Sequence, residues 1–371
     1  MNERSSGTWD ACIIGGGPAG LAAAIALRLR GLQVVVADGL RPPIDKACGE
    51  GLMPDSISAM QRLGIEIPAE LGRKFFGIRF IDNERQIDGD FSTGYALAVR
   101  RTVLHEKMVE RAEACGVNFR WGASISHLNS DGVVTAAETI RARWIVGADG
   151  ARSRVRRWAG LDASTHYRPR YAFRRHYKIA PWSSRMEVHW INEAQAYVTP
   201  LGPDQICVAV VSRNPRLRLD AALRAFTGLR SRIGDAAPIS TERGAITSMR
   251  SLRRVCAGHV ALVGDASGGV DAITGEGLGL SFRQATALAD AIKRGDLHGY
   301  QRAHRRLAWR PNFMARGLLM LDGRPWLRRR VMNALEDRNL FRRMLRIHTG
   351  DAPARDLLTI GAWLGLKLME I

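Results

Sequence analysis

The chain has 371 residues, 46% of them apolar, which is enough for two domains or one large elaborated one with a substantial core. Its formal net charge of +19 raises nucleic acid or anionic membrane as partners, but the arginines that carry it are spread along the chain, with small clusters at 152–157, 250–254, 302–310 and 328–330, and no nucleic-acid-binding module accompanies them; a solvated basic surface with no nucleic-acid partner is expected, and attraction of an anionic cofactor or substrate is its side effect. The five cysteines (Cys12, Cys48, Cys115, Cys207, Cys256) are scattered, odd in number and without metal-ligand spacing, which excludes a disulfide framework or a metal site and fits a reducing cytoplasm.

Residues 1–8 are polar and show no signal-peptide pattern, and no run of 18 apolar residues predicts a transmembrane helix. Ala11 to Ile14 reads as a strand buried on both faces. Gly15, Gly17 and Gly20 then form G-x-G-x-x-G, and Pro18 to Arg30 reads as an Ala- and Leu-rich helix stopped at Gly31. Val34 to Val36 is a second buried strand, ending at Asp38, 18 residues past Gly20. Gly15 permits the tight turn, Gly17 a close approach of backbone to a pyrophosphate, and Gly20 close packing of helix on strand. The helix start, with Pro18 and Ala19, offers free N–H groups and positive dipole to phosphates. Asp38 is spaced to accept from ribose hydroxyls, which favours FAD or NAD over NADP.

Residues 39–54 are rich in proline and glycine and read as a loop at the carboxyl end of a parallel strand, where open α/β sheets bind ligands. A short helix is predicted over 55–64. Residues 74–99 alternate as strands of an inserted antiparallel sheet, with a turn expected near Asp88-Gly89. A helix from Arg100-Arg101 to Cys115 follows, then strands at 117–121, 124–128, 133–138 and 140–146, the last leading into Gly147-Ala-Asp149-Gly150. Residues 171–213 read as antiparallel strands with a turn at Gly202-Pro203, and 219–230 as a helix. Val260–Val263 is a final buried strand, Gly277 to Lys293 a long helix, and residues from Tyr300 onward are mostly helical with arginine-rich faces. Within 353–371, Leu357, Leu358, Trp363, Leu364 and Leu368 give a helix that docks on the core or on a membrane surface.

Three stretches stand together: GGGPAG at 15–20, GADG at 147–150 and GDASGGVDAITGEG at 264–277. In this order they resemble the flavoprotein superfamily of para-hydroxybenzoate hydroxylase-like (group A) monooxygenases, flavin-dependent halogenases and geranylgeranyl reductases, over about residues 8–310. The resemblance implies an α/β fold with an α+β insert. A Rossmann-like FAD-binding domain would be built from 1–73, 100–165 and 245–300, an antiparallel-sheet substrate domain from 74–99 and 166–244, and a helical region from 301–371. It implies noncovalent FAD, held by the glycine turn, Asp38, Arg101 (or Arg100), Asp149, Gly150, Gly264, Asp265, Gly275, Gly277 and Leu278. NAD(P)H would bind transiently along the shared cleft, because no second G-x-G-x-x-G follows a strand.

The loop Lys46-Ala47-Cys48-Gly49-Glu50-Gly51-Leu52 resembles the K-x-C-G-x-G-L segment of the geranylgeranyl reductase branch, with variants in bacterial flavin monooxygenases, and would sit beside the isoalloxazine. The W-x-W-x-I-P motif of halogenases is absent. The reading favoured at this point is an NAD(P)H-dependent monooxygenase that hydroxylates an aromatic or polyketide-type apolar substrate by way of the flavin C4a-hydroperoxide. The alternatives are a flavin reductase that saturates isoprenoid double bonds and a flavin-binding electron-transfer partner. Cys48, Glu50, His189 and Tyr197 are the candidates for contact with substrate; no metal ligands are expected, and the oligomeric state is left open.

Overall fold

The computed structural model describes residues 8–82, 85–166 and 169–351. Two large sheets organise it. The first is built on the strand–glycine–helix unit: Trp9–Ile14 enters the centre, helix α1 (Pro18–Arg28) crosses back, and Val34–Asp38 returns in parallel beside it. Thr139–Gly147 pairs parallel on the other side, followed by Val260–Leu262, while Asn118–Trp121 extends the opposite edge. All five strands point their carboxyl ends the same way. Helices α2 (Pro54–Gln61) and α3 (Arg101–Ala114) complete this half, with the short α4 (Arg154–Trp158) after the strand 139–147. Valine-rich strands and the alanine face of α1 are fully buried, as a sheet covered on both sides requires.

The second sheet has seven strands in the order Arg243–Thr247, Arg170–Lys178, Gln205–Ser212, Ala194–Pro200, Met186–Ile191, Gly77–Asp82, Arg85–Asp90. Its ladder is antiparallel except where Met186–Ile191 runs parallel to Gly77–Asp82. Segment 74–99 does not form one inserted sheet. Its two longer strands extend the large sheet, and Ala96–Ala98 joins Arg73–Phe75 and Gly51–Leu52 in a separate three-stranded sheet.

The turn expected at Asp88-Gly89 is also corrected. Both residues lie inside the ladder, opposite Arg79 and Ile78. Gly89 is there for packing, since a Cβ would come 2.7 Å from Leu345 and Phe341 of a distant helix. The predicted helix 219–230 is two, α5 (Leu219–Ala225) and α6 (Thr227–Ile233), broken at Phe226, whose ψ of 69° leaves the helical region.

Helix α7 (Gly277–Arg294) packs along α1, and α8 (Leu297–Leu321), α9 (Pro325–Leu335) and α10 (Arg338–Thr349) then fold over the apolar face of the seven-stranded sheet. Phe341 stacks on Phe80 at 5.3 Å. The helix expected within 353–371 lies outside the described residues. Among the described residues no helix is long and apolar enough to cross a membrane.

Candidate functional site

The carboxyl ends of the central parallel strands face the apolar side of the seven-stranded sheet, and between them lies a cavity of about 340 Å³. Its floor is the glycine turn, where the three glycines do different work. Gly15 has φ +111°, and a Cβ there would meet the Ala148 carbonyl at 2.4 Å; a Cβ on Gly20 would meet the Gly15 carbonyl at 1.8 Å. These two let the chain pack on itself. Gly17 has φ −73°, and a Cβ there would meet nothing within 4 Å. It faces the cavity with Pro18 and Ala19. No side chain caps the start of α1, so its first N–H groups are offered to the cavity.

Asp38 stands behind the turn and outside the cavity lining. Its carboxylate accepts from Gly16 N at 2.6 Å and Leu40 N at 2.8 Å. His105, which carried no sequence signal, buttresses the same turn: Nε2 donates to the Gly16 carbonyl at 2.8 Å, and burial lowers its pKa so that the neutral ring persists.

The second wall comes from the stretch after Val260–Leu262. Gly264 takes φ +62°, and a Cβ there would press on Ala19 at 2.5 Å. Its amide donates to Gln284 and its carbonyl accepts from Ser267 Oγ, which in turn meets His304 Nε2 at 2.9 Å. Asp265 stands open to the cavity, yet enough protein surrounds it that desolvation raises its pKa against the opposing charges of Lys46 and Arg101. Gly275 is left-handed at φ +67°, and α7 opens at Gly277 with no side-chain cap and no atom within 4 Å of a Cβ. Gly277 and Leu278 line the cavity beside Gly275.

The two arginines that open α3 part company. Arg101 lines the cavity, its Nε buried without a hydrogen-bond partner among the described residues. Arg100 turns to the sheet and donates to His176 Nδ1 at 3.1 Å. Asp149 is not among the lining residues: one carboxylate oxygen accepts from Arg154 N and Val155 N at the start of α4, across the turn 148–153, and the other is buried without a partner among the described residues. Gly150 does line the cavity, its Cβ position 3.7 Å from Lys46 Nζ.

The loop 45–50 crosses between the halves and is pinned from the seven-stranded sheet. Arg174 reaches Asp45 at 2.5 Å and the Lys46 carbonyl at 3.3 Å, Thr199 Oγ1 donates to the Gly49 carbonyl at 2.7 Å, and Cys207 Sγ lies 3.8 Å from the Cys48 carbonyl. Lys46, Ala47 and Cys48 thereby face the cavity. Glu50 takes φ +61°, and its buried carboxylate accepts from Arg101 N at 2.9 Å and His176 Nε2 at 2.7 Å. Glu50 reaches the cavity but is corrected as a candidate base, since both its oxygens are engaged in holding loop and helix together. Glu50, His176 and Cys207 also lie close enough to share an ion, but the Arg174 guanidinium, 3.8 Å from Glu50, already balances the carboxylate, and burial pushes the Cys207 thiol well up.

The opposite wall is apolar. Strand alternation sends Met186 and Val188 inward with Ile78, Phe80, Tyr197 and Val211. The same alternation corrects His189: with Glu187 it points to the other face, where it meets the Glu187 carboxylate at 3.0 Å. Tyr197 lines the cavity with its hydroxyl buried and unpartnered among the described residues, and burial raises its pKa so that the proton stays on. Met314 and Leu318 of α8, with Met344, Leu345 and His348 of α10, form a roof that the sequence motifs did not announce.

A family model described as "FAD binding domain" matches residues 8–295. The chain is 26% identical to the menaquinone reductase of Mycolicibacterium smegmatis over 82% of its own length and 80% of that protein's. It is 29% identical to the chloroplastic geranylgeranyl diphosphate reductase of Oryza sativa over 77% and 67%. The rifampicin monooxygenase of Streptomyces venezuelae is 33% identical over 41% of this chain and 34% of its own. Among solved structures, a flavoprotein/dehydrogenase from Cytophaga hutchinsonii superposes with a TM-score of 0.79 at 18% identity, covering 93% of both chains, a likeness of fold.

Proposed function

The chain belongs to the FAD binding domain family, and on that premise we propose that it is a reductase that saturates double bonds of a long apolar, isoprenoid-bearing substrate, with NAD(P)H as transient reductant. It is an enzyme, a FAD-dependent oxidoreductase. The cavity fits FAD: two uncapped helix starts open onto it at glycines with free space, and the Arg101 Nε there lacks a partner. Gly17, Pro18, Ala19 and Arg101 would hold the diphosphate, Gly264 and Asp265 the ribityl chain, and Gly277 and Leu278 the pyrimidine edge. Bound FAD supplies a two-electron carrier that takes hydride from a reduced nicotinamide and passes it to substrate.

The observation that carries the reading is the aliphatic roof. Met314, Leu318, Met344 and Leu345 face Ile78, Met186, Val188 and Val211 across the cavity, a lining suited to a flexible hydrocarbon chain. The named reductases also match 82% and 77% of the chain, whereas the rifampicin enzyme matches less than half of it. Of the candidate bases read from the sequence, His189 is turned away and Glu50 is engaged by Arg101 N and His176, so neither is free to ionise a phenol. Reduction of a double bond adds hydride to one carbon and a proton to the other. Cys48 on the loop wall is placed to pass that proton, while burial keeps the Tyr197 proton in place, so that hydroxyl orients rather than ionises.

One observation favours hydroxylation as a second reading: the unpartnered Tyr197 hydroxyl is suited to bonding a substrate oxygen. Anaerobic incubation with NAD(P)H and menaquinone or geranylgeranyl lipid tests the choice. Gain of two hydrogens, read by mass spectrometry, supports reduction. No gain, with oxygen uptake stimulated by phenols in air, overturns it.

A further inference from the structure

Helix α8 has two faces with opposite tasks. Its inner face carries Tyr300, His304 and Ala315 into the interior and Met314 and Leu318 to the cavity roof. On its outer face Arg302, Arg305, Trp309, Phe313, Arg316 and Met320 recur at three- and four-residue spacing and are all exposed. Trp309, Phe313 and Met320 are 51%, 49% and 53% exposed, and the two rings stack on each other at 5.8 Å. Trp326, at the start of α9, is 58% exposed beneath the Arg330 guanidinium. Large apolar side chains are thus interleaved with cations along the outer face of α8 and at the start of α9. Residues 297–351 hold thirteen arginines and four acids, two of which, Asp322 and Asp337, are drawn inward to Arg170 and Arg213 or to a helix start.

Charge and apolarity together select one occupant. A basic stripe carrying tryptophan, phenylalanine and methionine matches an anionic bilayer surface, where indoles sit at headgroup depth and arginines meet lipid phosphates. We propose that the outer face of α8 and the start of α9 dock this enzyme on anionic membrane, with only the thickness of one helix between the lipid and the cavity roof. The proposal is independent of which reaction the cavity performs, because it rests on the outer face alone.

Cosedimentation of the full chain with vesicles of equal parts phosphatidylglycerol and phosphatidylcholine, and with phosphatidylcholine vesicles, tests it without any turnover. Binding to the mixed vesicles is expected, weakening at least tenfold between about 0.1 M and about 1 M salt as charges are screened. Trp309→Ser with Phe313→Ser should lower that binding at least tenfold, while flavin content and melting temperature stay unchanged. Equal binding by the double variant would assign the contact to another surface, residues 352–371 included, and overturn the proposal. So would absence of binding, or a dimer of the parent chain that the double variant converts to monomer.

Discussion

Gly17→Val separates ligand from fold. The residue has φ −73° and ψ 176°, which valine adopts without strain, and the space where the new methyls go holds no protein atom within 4 Å of the Cβ position. The helix-cap change costs about 1 kcal/mol or less, a melting shift of about 2 °C at most. The methyls occupy the approach to the uncapped N–H groups of α1, so FAD is lost. With it goes the stabilisation that a bound ligand confers, about 2.7 kcal/mol at a hundredfold excess over its dissociation constant. Absorbance at flavin wavelengths gives the bound fraction, and melting with and without added FAD gives the linkage. The expected result is colourless protein, with native circular dichroism and a melting temperature that no longer rises with FAD. Gly20→Ala is the contrasting control, because its Cβ would meet a backbone carbonyl at 1.8 Å and the loss should be of fold. A yellow, FAD-responsive Gly17→Val protein would refute the placement of the diphosphate.

Cys48→Ser should keep FAD and fold while lowering turnover, and Cys48→Phe should abolish turnover with the flavin spectrum nearly intact; loss of FAD from the serine variant would move Cys48 into the cofactor shell. His304 is buried against Ser267 and its pKa is pushed down to about 4. The unfolded chain therefore binds a proton that the folded one refuses between pH ~6.5 and ~4. Its stability contribution is full above that window and falls by about 3 kcal/mol across it. Denaturant titrations of His304→Gln should show a shallower acid slope, with a remainder of the same sign from His105. Gly89→Val should destabilise by about 1–3 kcal/mol in urea, because its side chain collides with Phe341 and Leu345; an unchanged midpoint would contradict the packing of α10 on that strand.

The nucleotide half was legible because its signals are local. Strand, glycine turn, helix, strand and Asp38 follow one another within thirty residues, and each is fixed by near neighbours in the chain. The seven-stranded sheet was legible only as strands. Alternation in Met186–Ile191 states that Val188 and His189 face opposite ways, but the face that becomes cavity is decided by α8 and α10, more than a hundred positions later. The same holds for Glu50, whose engagement depends on His176, 126 residues away. Gly89 sat in a turn-like dipeptide, and only the distant Phe341 explains it. His105 could have been suspected as a polar residue on the buried side of an otherwise amphipathic helix.

Arg174, Thr199 and Cys207 belong to the seven-stranded sheet, yet each holds backbone of the loop that carries Lys46 and Cys48. Anyone redesigning substrate preference inherits that linkage. Libraries spread over those strands would alter coenzyme retention together with selectivity, and the two phenotypes would be hard to disentangle in a screen. The roof offers another handle: Met314, Leu318 and Met344 make none of these hydrogen bonds, so exchanging them reshapes the cavity while leaving the crossing loop anchored.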